Sequence, residues 1–160
     1  MNQKIKDREL TKLYLCVVRG EMRPREGQLK GFLLKDENKA QVKVYERPVP
    51  GGKTALTLYK TLAVRNGLSL LECDLITGRT HQIRAQFAAA GHPLLGDGKY
   101  GRERDNKQYG RSYQALYSYK LRFEFTTDAG CLNELNGREW TVKDVDFVSE
   151  YFPDYPIGCP

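Results

Sequence analysis

Between residues 12 and 75 the chain alternates apolar and polar side chains, and the breaks in that alternation mark where strands end. Residues 12–19, KLYLCVVR, are rich in β-branched and aromatic side chains and stop at Gly20, which predicts a strand. Polar residues 20–30, with Pro24 and Gly27, read as a connection. Two short strands at 31–35 and 40–46 follow, with DENK as the turn between them. Pro48, Pro50, Gly51 and Gly52 then punctuate the chain before its clearest local signal, KTALTLYKTLAV-RNG-LSLLECDLI. Asn66-Gly67 between two alternating apolar runs is the chemistry of a tight hairpin turn, because both residues tolerate positive φ. In the first arm a period of two puts Ala55, Thr57, Tyr59 and Thr61 on one face and Leu56, Leu58 and Leu62 on the other.

The period then changes. In TGRTHQIRAQFAAAGHP, Ile83, Phe87 and Ala90 fall on one helical stripe, Thr80 is placed to cap the start, Gly91 to end it, and Pro93 to prevent continuation. A helix of about ten residues is expected to run directly out of the second hairpin strand. Ala115 to Phe125 predicts another strand, and Val142 to Phe152 a short closing helix or irregular segment. The sum is an α+β fold: a mostly antiparallel mixed sheet with few helices, read as a single domain over residues 1–160.

Composition narrows the class. With 160 residues, 40% of them hydrophobic, there is enough material for one core. No run of 18 apolar residues occurs and MNQKIKDREL has no apolar stretch, so no membrane association and a cytoplasmic location are expected. Cys16, Cys73, Cys131 and Cys159 are scattered, with only His81 and His92 as further soft ligands; no metal is expected, and the thiols should be reduced and mostly buried. The net charge is +6. Residues 1–31 and 79–111 are basic and the last thirty are acidic, a distribution that fits a polyanion partner or a plain solvated basic surface.

Two clusters carry candidate chemistry. Arg79, His81, Gln82 and Arg84 gather where a strand meets a helix N-terminus, a place already positive because the first helical N–H groups are unpaired. Such a junction holds a phosphate or a protein carboxylate, or is simply a helix start with surface arginines. The second cluster is GHPLLGDGKYG, residues 91–101, where four glycines allow a tight loop. Asp97 could act there as a general base, but an aspartate in a glycine-rich turn more often bonds its own backbone. His92 reads in the same way as a hydrogen-bonded loop residue.

Together these stretches, LLECDLITGRTHQIRAQFAAAGHPLLGDGKYG, resemble the hallmark segment of RluA-type RNA pseudouridine synthases, in which a TGRTHQIR-like run precedes a GHPxxGDxxYG-like run. TKLYLCVVRG is similar to that family's K-x-Y strand, and the similarity extends over residues 10–125. The resemblance implies isomerisation of uridine to pseudouridine in structured ribosomal or transfer RNA, without a cofactor. It implies that Tyr14 stacks near the flipped base and helps move the C5 proton. It implies that Arg84 pairs with the catalytic aspartate, and that Lys12, Arg79, His81, Gln82 and His92 hold the RNA or the site.

Three departures matter. Gln86 and Tyr117 stand where histidines are common in the family, and no HRLD-like run, the carrier of the catalytic aspartate, occurs in the 160 residues. Asp7, Asp74 and Asp97 all lie in other contexts. Three expectations follow: the chain alone is inactive, Arg84 is solvated or recruits a foreign anion, and an exposed sheet edge favours a homo-oligomer. The alternative is a non-catalytic RNA-binding remnant of the same fold. A phosphoester-binding or hydrolytic protein built on the Arg/His junction is a further possibility from the residues alone.

Overall fold

In the computed structural model of the chain, the structure describes residues 10–36, 38, 40–79, 81–111, 113–123, 139–141, 145–153 and 155. Seven strands form one sheet: β1 (Leu10–Arg19), β2 (Glu26–Asp36), β3 (Gln41–Tyr45), β4 (Lys53–Arg65), β5 (Leu68–Leu75), β6 (Leu116–Phe123) and β7 (Glu139–Thr141), in the order β3-β2-β4-β5-β1-β6-β7. Every described pairing is antiparallel, so the α+β expectation holds and the sheet is not mixed. Among the described residues three short helices accompany it: α1 (Gln82–Ala89), α2 (Glu103–Gln108) and α3 (Asp146–Tyr151).

The hairpin turn forms as its dipeptide requires, with φ of 54° at Asn66 and 76° at Gly67 and Arg65 paired with Leu68. The turn is also a docking point. Gly20 N donates to Gly67 O at 2.7 Å, Arg19 Nη1 donates to the same carbonyl, and Tyr109 Oη donates to Asn66 O. β2 starts at Glu26, inside the stretch read as a connection, because Glu26–Leu33 find partners at Lys53–Lys60 of β4. A strand partner overrides weak local propensity.

β1 runs through the middle, and Leu15, Cys16, Val17 and Val18 are all fully buried because opposite faces of the strand meet different layers. Cys16 and Val18 pack with Leu71, Cys73 and Tyr59 beneath Ile83 and Phe87 of α1. Leu15 and Val17 pack with Leu68 and Leu70 against Val145, Phe147, Val148 and Phe152 around α3. Phe87 meets Tyr59 edge to face at 5.9 Å. Cys16 and Cys73 are free buried thiols 3.8 Å apart, and the hydrogen bond with Cys16, then burial, pushes the Cys73 thiol well up. Cys131 and Cys159 lie outside the described residues, as do Thr80 and parts of the DENK and 142–152 segments.

The two faces of β4 divide as the period of two predicts, yet the more polar one is inside. Ala55, Thr57, Tyr59 and Thr61 are buried on the α1 side, whereas Leu58 is 36% exposed on the other. The hydroxyl of Thr57 can be buried because α1 supplies its partners: it donates to Gln86 Oε1 at 2.6 Å and accepts from Gln82 Nε2 at 2.9 Å. Among the described residues, no helix is long and apolar enough to cross a membrane.

Candidate active site

The site is assembled where β5 hands over to α1. The helix-start residue is His81, in the left-handed region at φ 54° and without a side-chain cap bond. Gln82 does the capping from inside. Its Oε1 accepts from Arg79 N at 3.0 Å and from Thr77 Oγ1 at 2.7 Å, and its Nε2 donates to Leu56 O and Thr57 Oγ1. With 2% exposure and all these bonds made internally, Gln82 has no free group to offer a ligand; it locks the turn onto β4. Gln86, one turn later, repeats the device by donating to Leu29 O and Ala55 O. The glutamines at helical spacing were the visible signal of this buried seam.

Arg84 is not the open cation that the missing HRLD-like run led us to expect. Its Nε donates to Asp97 Oδ2 at 2.7 Å and its Nη2 to Asp97 Oδ1 at 2.9 Å, a bidentate ion pair with Asp97 fully buried. Asp97 also keeps its turn role, since Oδ1 accepts from Lys99 N and Tyr100 N. Burial works to raise the Asp97 pKa, but Arg84 and the two backbone N–H groups outweigh it and hold the carboxyl below its usual range. The hydrogen bond to Asp97 likewise raises the Arg84 pKa. Arg84 Nη1 has no hydrogen-bond partner among the described residues, so one edge of the guanidinium is fixed and the other is open.

The glycine loop delivers Asp97 to the helix. Gly96 has φ 82°, and a Cβ there would stand 1.9 Å from Tyr113 O. Asn106 of α2 clamps the loop from behind, accepting from Gly96 N and donating to Asp97 O. Tyr100 closes the far side: the Arg84 guanidinium lies 5.2 Å from its ring centroid, and its Oη accepts from Val42 N at 2.8 Å. The same hydroxyl is 2.9 Å from His81 Nδ1, an arrangement satisfied when Tyr100 donates to a neutral imidazole. Burial first, then the charges of Arg84 and Lys99, lower the His81 pKa.

The remaining expected residues are dispersed. Tyr14, half-buried, lies on the α1 face of β1 against Cys73 and Leu116, where a β-bulge shifts the pairing with β6 between Leu13 and Tyr14. Such bulges re-aim side chains. Lys12 is exposed two residues earlier on the strand. Arg79 is exposed, and among the described residues its guanidinium makes one hydrogen bond, from Nε to Thr54 O. His92 sits past the opposite end of α1 from His81, where its ring nitrogen donates to Arg19 O at 2.8 Å; this ties the loop to β1 and takes His92 away from the junction. Among the described residues, no three His, Cys, Asp or Glu side chains gather as a metal site.

Comparison with known proteins bears on this geometry directly. Residues 1–89 match the family described as RNA pseudouridylate synthase. The chain belongs to that family. A Bacillus subtilis RNA pseudouridine synthase, YhcT, is 37% identical over 63% of the chain and 33% of its own length. The ribosomal large subunit pseudouridine synthase D of Borreliella burgdorferi is 34% identical over 76% of the chain and 36% of its length. The chain thus spans about a third of the curated synthases it matches. Human RNA Pseudouridylate Synthase Domain Containing 4 shares the fold, with a TM-score of 0.70 at 18% identity over 93% of the chain and 63% of that structure. The synthase family match ends at the last residue of α1, so the Asp97 loop is placed by the fold rather than by that match.

Proposed function

We propose that these residues contribute the tyrosine and arginine of a site that isomerises uridine to pseudouridine in structured RNA. The observation that carries this reading is the divided guanidinium of Arg84, with Nε and Nη2 committed to Asp97 and Nη1 open. A second carboxylate, the one that acts on the ribose, docks on the open edge and is kept ionised there by the opposite charge. Tyr14 offers its ring to the extruded uracil, a stacking contact worth about 1–3 kcal/mol, and its hydroxyl relays the C5 proton while the base is detached, turned and rejoined. Metal and cofactor have no step in this scheme.

In this reading the carboxylate that acts on the sugar is carried by an HRLD-like run, which does not occur in the 160 residues. Asp97 is spent on Arg84, and Asp74 follows Cys73 on β5 and so faces away from α1. The 160 residues by themselves therefore bind RNA without turnover. The test uses bulk RNA and pseudouridine-specific primer extension. The purified chain should form no pseudouridine, whereas joining it to the upstream segment of the Bacillus subtilis relative should restore formation, and Arg84→Met should lower that activity at least about 100-fold. Turnover by the 160 residues alone, or a folded fusion that is inactive, overturns the reading.

A further inference from the structure

Beside the Arg84 site, and separate from it, a cleft of about 410 Å³ opens between the β2–β3 hairpin, the start of β4 and the Gly78–Arg79 turn. Its floor is apolar: Leu33 and Val42 are buried there and pack with Ala55 and Ala85 of α1. Its rim is cationic. Lys35 pairs across the sheet with Val42, and Lys53 with Leu33, so both lysines stand on the same face as that floor, and Arg79 closes the third side. All three are exposed, and among the described residues no carboxylate lines the cleft and none of the three is in an ion pair. Lys99 donates from its Nζ to Ala40 O in the turn of the same hairpin.

This arrangement differs from a generic basic surface in two ways. Some cations elsewhere have carboxylate partners, Arg19 with Asp105, Arg111 with Asp146 and Glu150, Lys107 with Glu103. Around this cleft three like charges converge with no such partner among the described residues, which costs self-repulsion unless an anion fills the gap. The apolar floor excludes water and strengthens the field between the three groups. We propose that this cleft grips the backbone of the RNA strand, with a phosphodiester between Lys35, Lys53 and Arg79 and its ribose over Leu33 and Val42. The contact reads no base. It anchors the strand at a distance from the nucleotide that enters the Arg84 site, and so sets the register of the substrate rather than its sequence. The inference rests on the RNA-directed reading above and adds where the strand is held.

Counterion release supplies the measurement, since each phosphate contact to a single strand adds about 0.7 to the slope of log K against log salt. The probe is a fluorescent single-stranded RNA oligomer titrated with the full 160-residue chain at several salt concentrations. Replacing Lys35, Lys53 and Arg79 together by Gln should weaken binding and flatten the slope by about 0.7, the share of the one phosphate they hold. A control with the same loss of charge elsewhere, Lys60→Gln, Arg104→Gln and Lys107→Gln, should change the slope by less than about 0.2. Replacing Lys35 and Lys53 by Arg should keep the native slope. If the cleft variant matches the unmodified chain, or the control flattens the slope as much, the anchor is wrong while the family reading stands. If the unmodified chain shows no salt-dependent RNA binding at all, both fall. Inorganic phosphate at matched ionic strength should not displace the RNA; full displacement would mean that the cleft takes free phosphate, not a strand.

Discussion

Replacing Asp97 by Asn tests the most consequential contact in the molecule. The side chain is fully buried and receives four donors: Arg84 Nε and Nη2, Lys99 N and Tyr100 N. An amide can keep the oxygen that serves Lys99 N, Tyr100 N and Arg84 Nη2, but its NH₂ then faces Arg84 Nε donor to donor. The Arg84 side chain is only 13% exposed, so it becomes a nearly buried cation without a counter-charge. Breaking one side of such a pair costs about 3–5 kcal/mol. For a chain of this size that is a fall of roughly 10 °C in Tm, with a matching drop in the urea midpoint. The double variant Asp97→Asn/Arg84→Met removes the stranded cation and should recover a large part of the loss, so the two changes are strongly non-additive. The acid limb should change too. Asp97 has a depressed pKa when folded, so the stability it contributes is present above the ordinary carboxylate value and is lost as pH falls through the lower folded value. Asp97→Asn should flatten that limb below about pH 4. A single variant within about 0.5 kcal/mol of the native chain, or strict additivity in the double variant, would refute the reasoning.

Other outcomes follow from neighbouring contacts. Gly96→Ala meets a carbonyl 1.9 Å from the new Cβ and a φ of 82°, and should destabilise the chain by more than about 2 kcal/mol in denaturant melts; a change under about 0.5 kcal/mol would contradict the close approach. Gln82→Ala removes one donor to Leu56 O and the acceptor for Arg79 N and the Thr77 hydroxyl, and should cost about 1–3 kcal/mol, while Arg79→Ala, at an exposed site, should cost less than about 1; the reverse order would sink the internal-cap account. His81 should titrate below its ordinary 6.5 in an NMR experiment, so any stability it contributes fades as pH falls through that lower value. A midpoint at or above 6.5 would contradict the neutral Tyr100–His81 contact.

Much of the fold was legible locally. Asn66-Gly67 specified its turn because two adjacent residues with positive φ are all that such a hairpin needs. Gly91, at φ 86°, ended α1 for a similarly local reason. The KLYLCVVR run announced a strand, and the TGRTHQIR and GHPLLGDGKYG stretches pointed to the family that the comparisons then showed. α2, in ERDNKQ, carries no apolar stripe and left no such mark.

Tertiary structure alone decided three things. It chose the carboxylate for Arg84, because Asp97 is thirteen residues away and reaches the helix only when Gly96 folds the loop back beneath Tyr113. It chose which face of β4 is inside, because a helix bearing Gln82 and Gln86 satisfies Thr57 where leucines would leave those amides unpaired. It gathered Lys35, Lys53 and Arg79 around one cleft although they are spread over more than forty positions. Sequence signals of secondary structure reach a few residues along the chain, whereas charge pairing and burial are settled by whichever distant groups the sheet register brings within hydrogen-bonding distance.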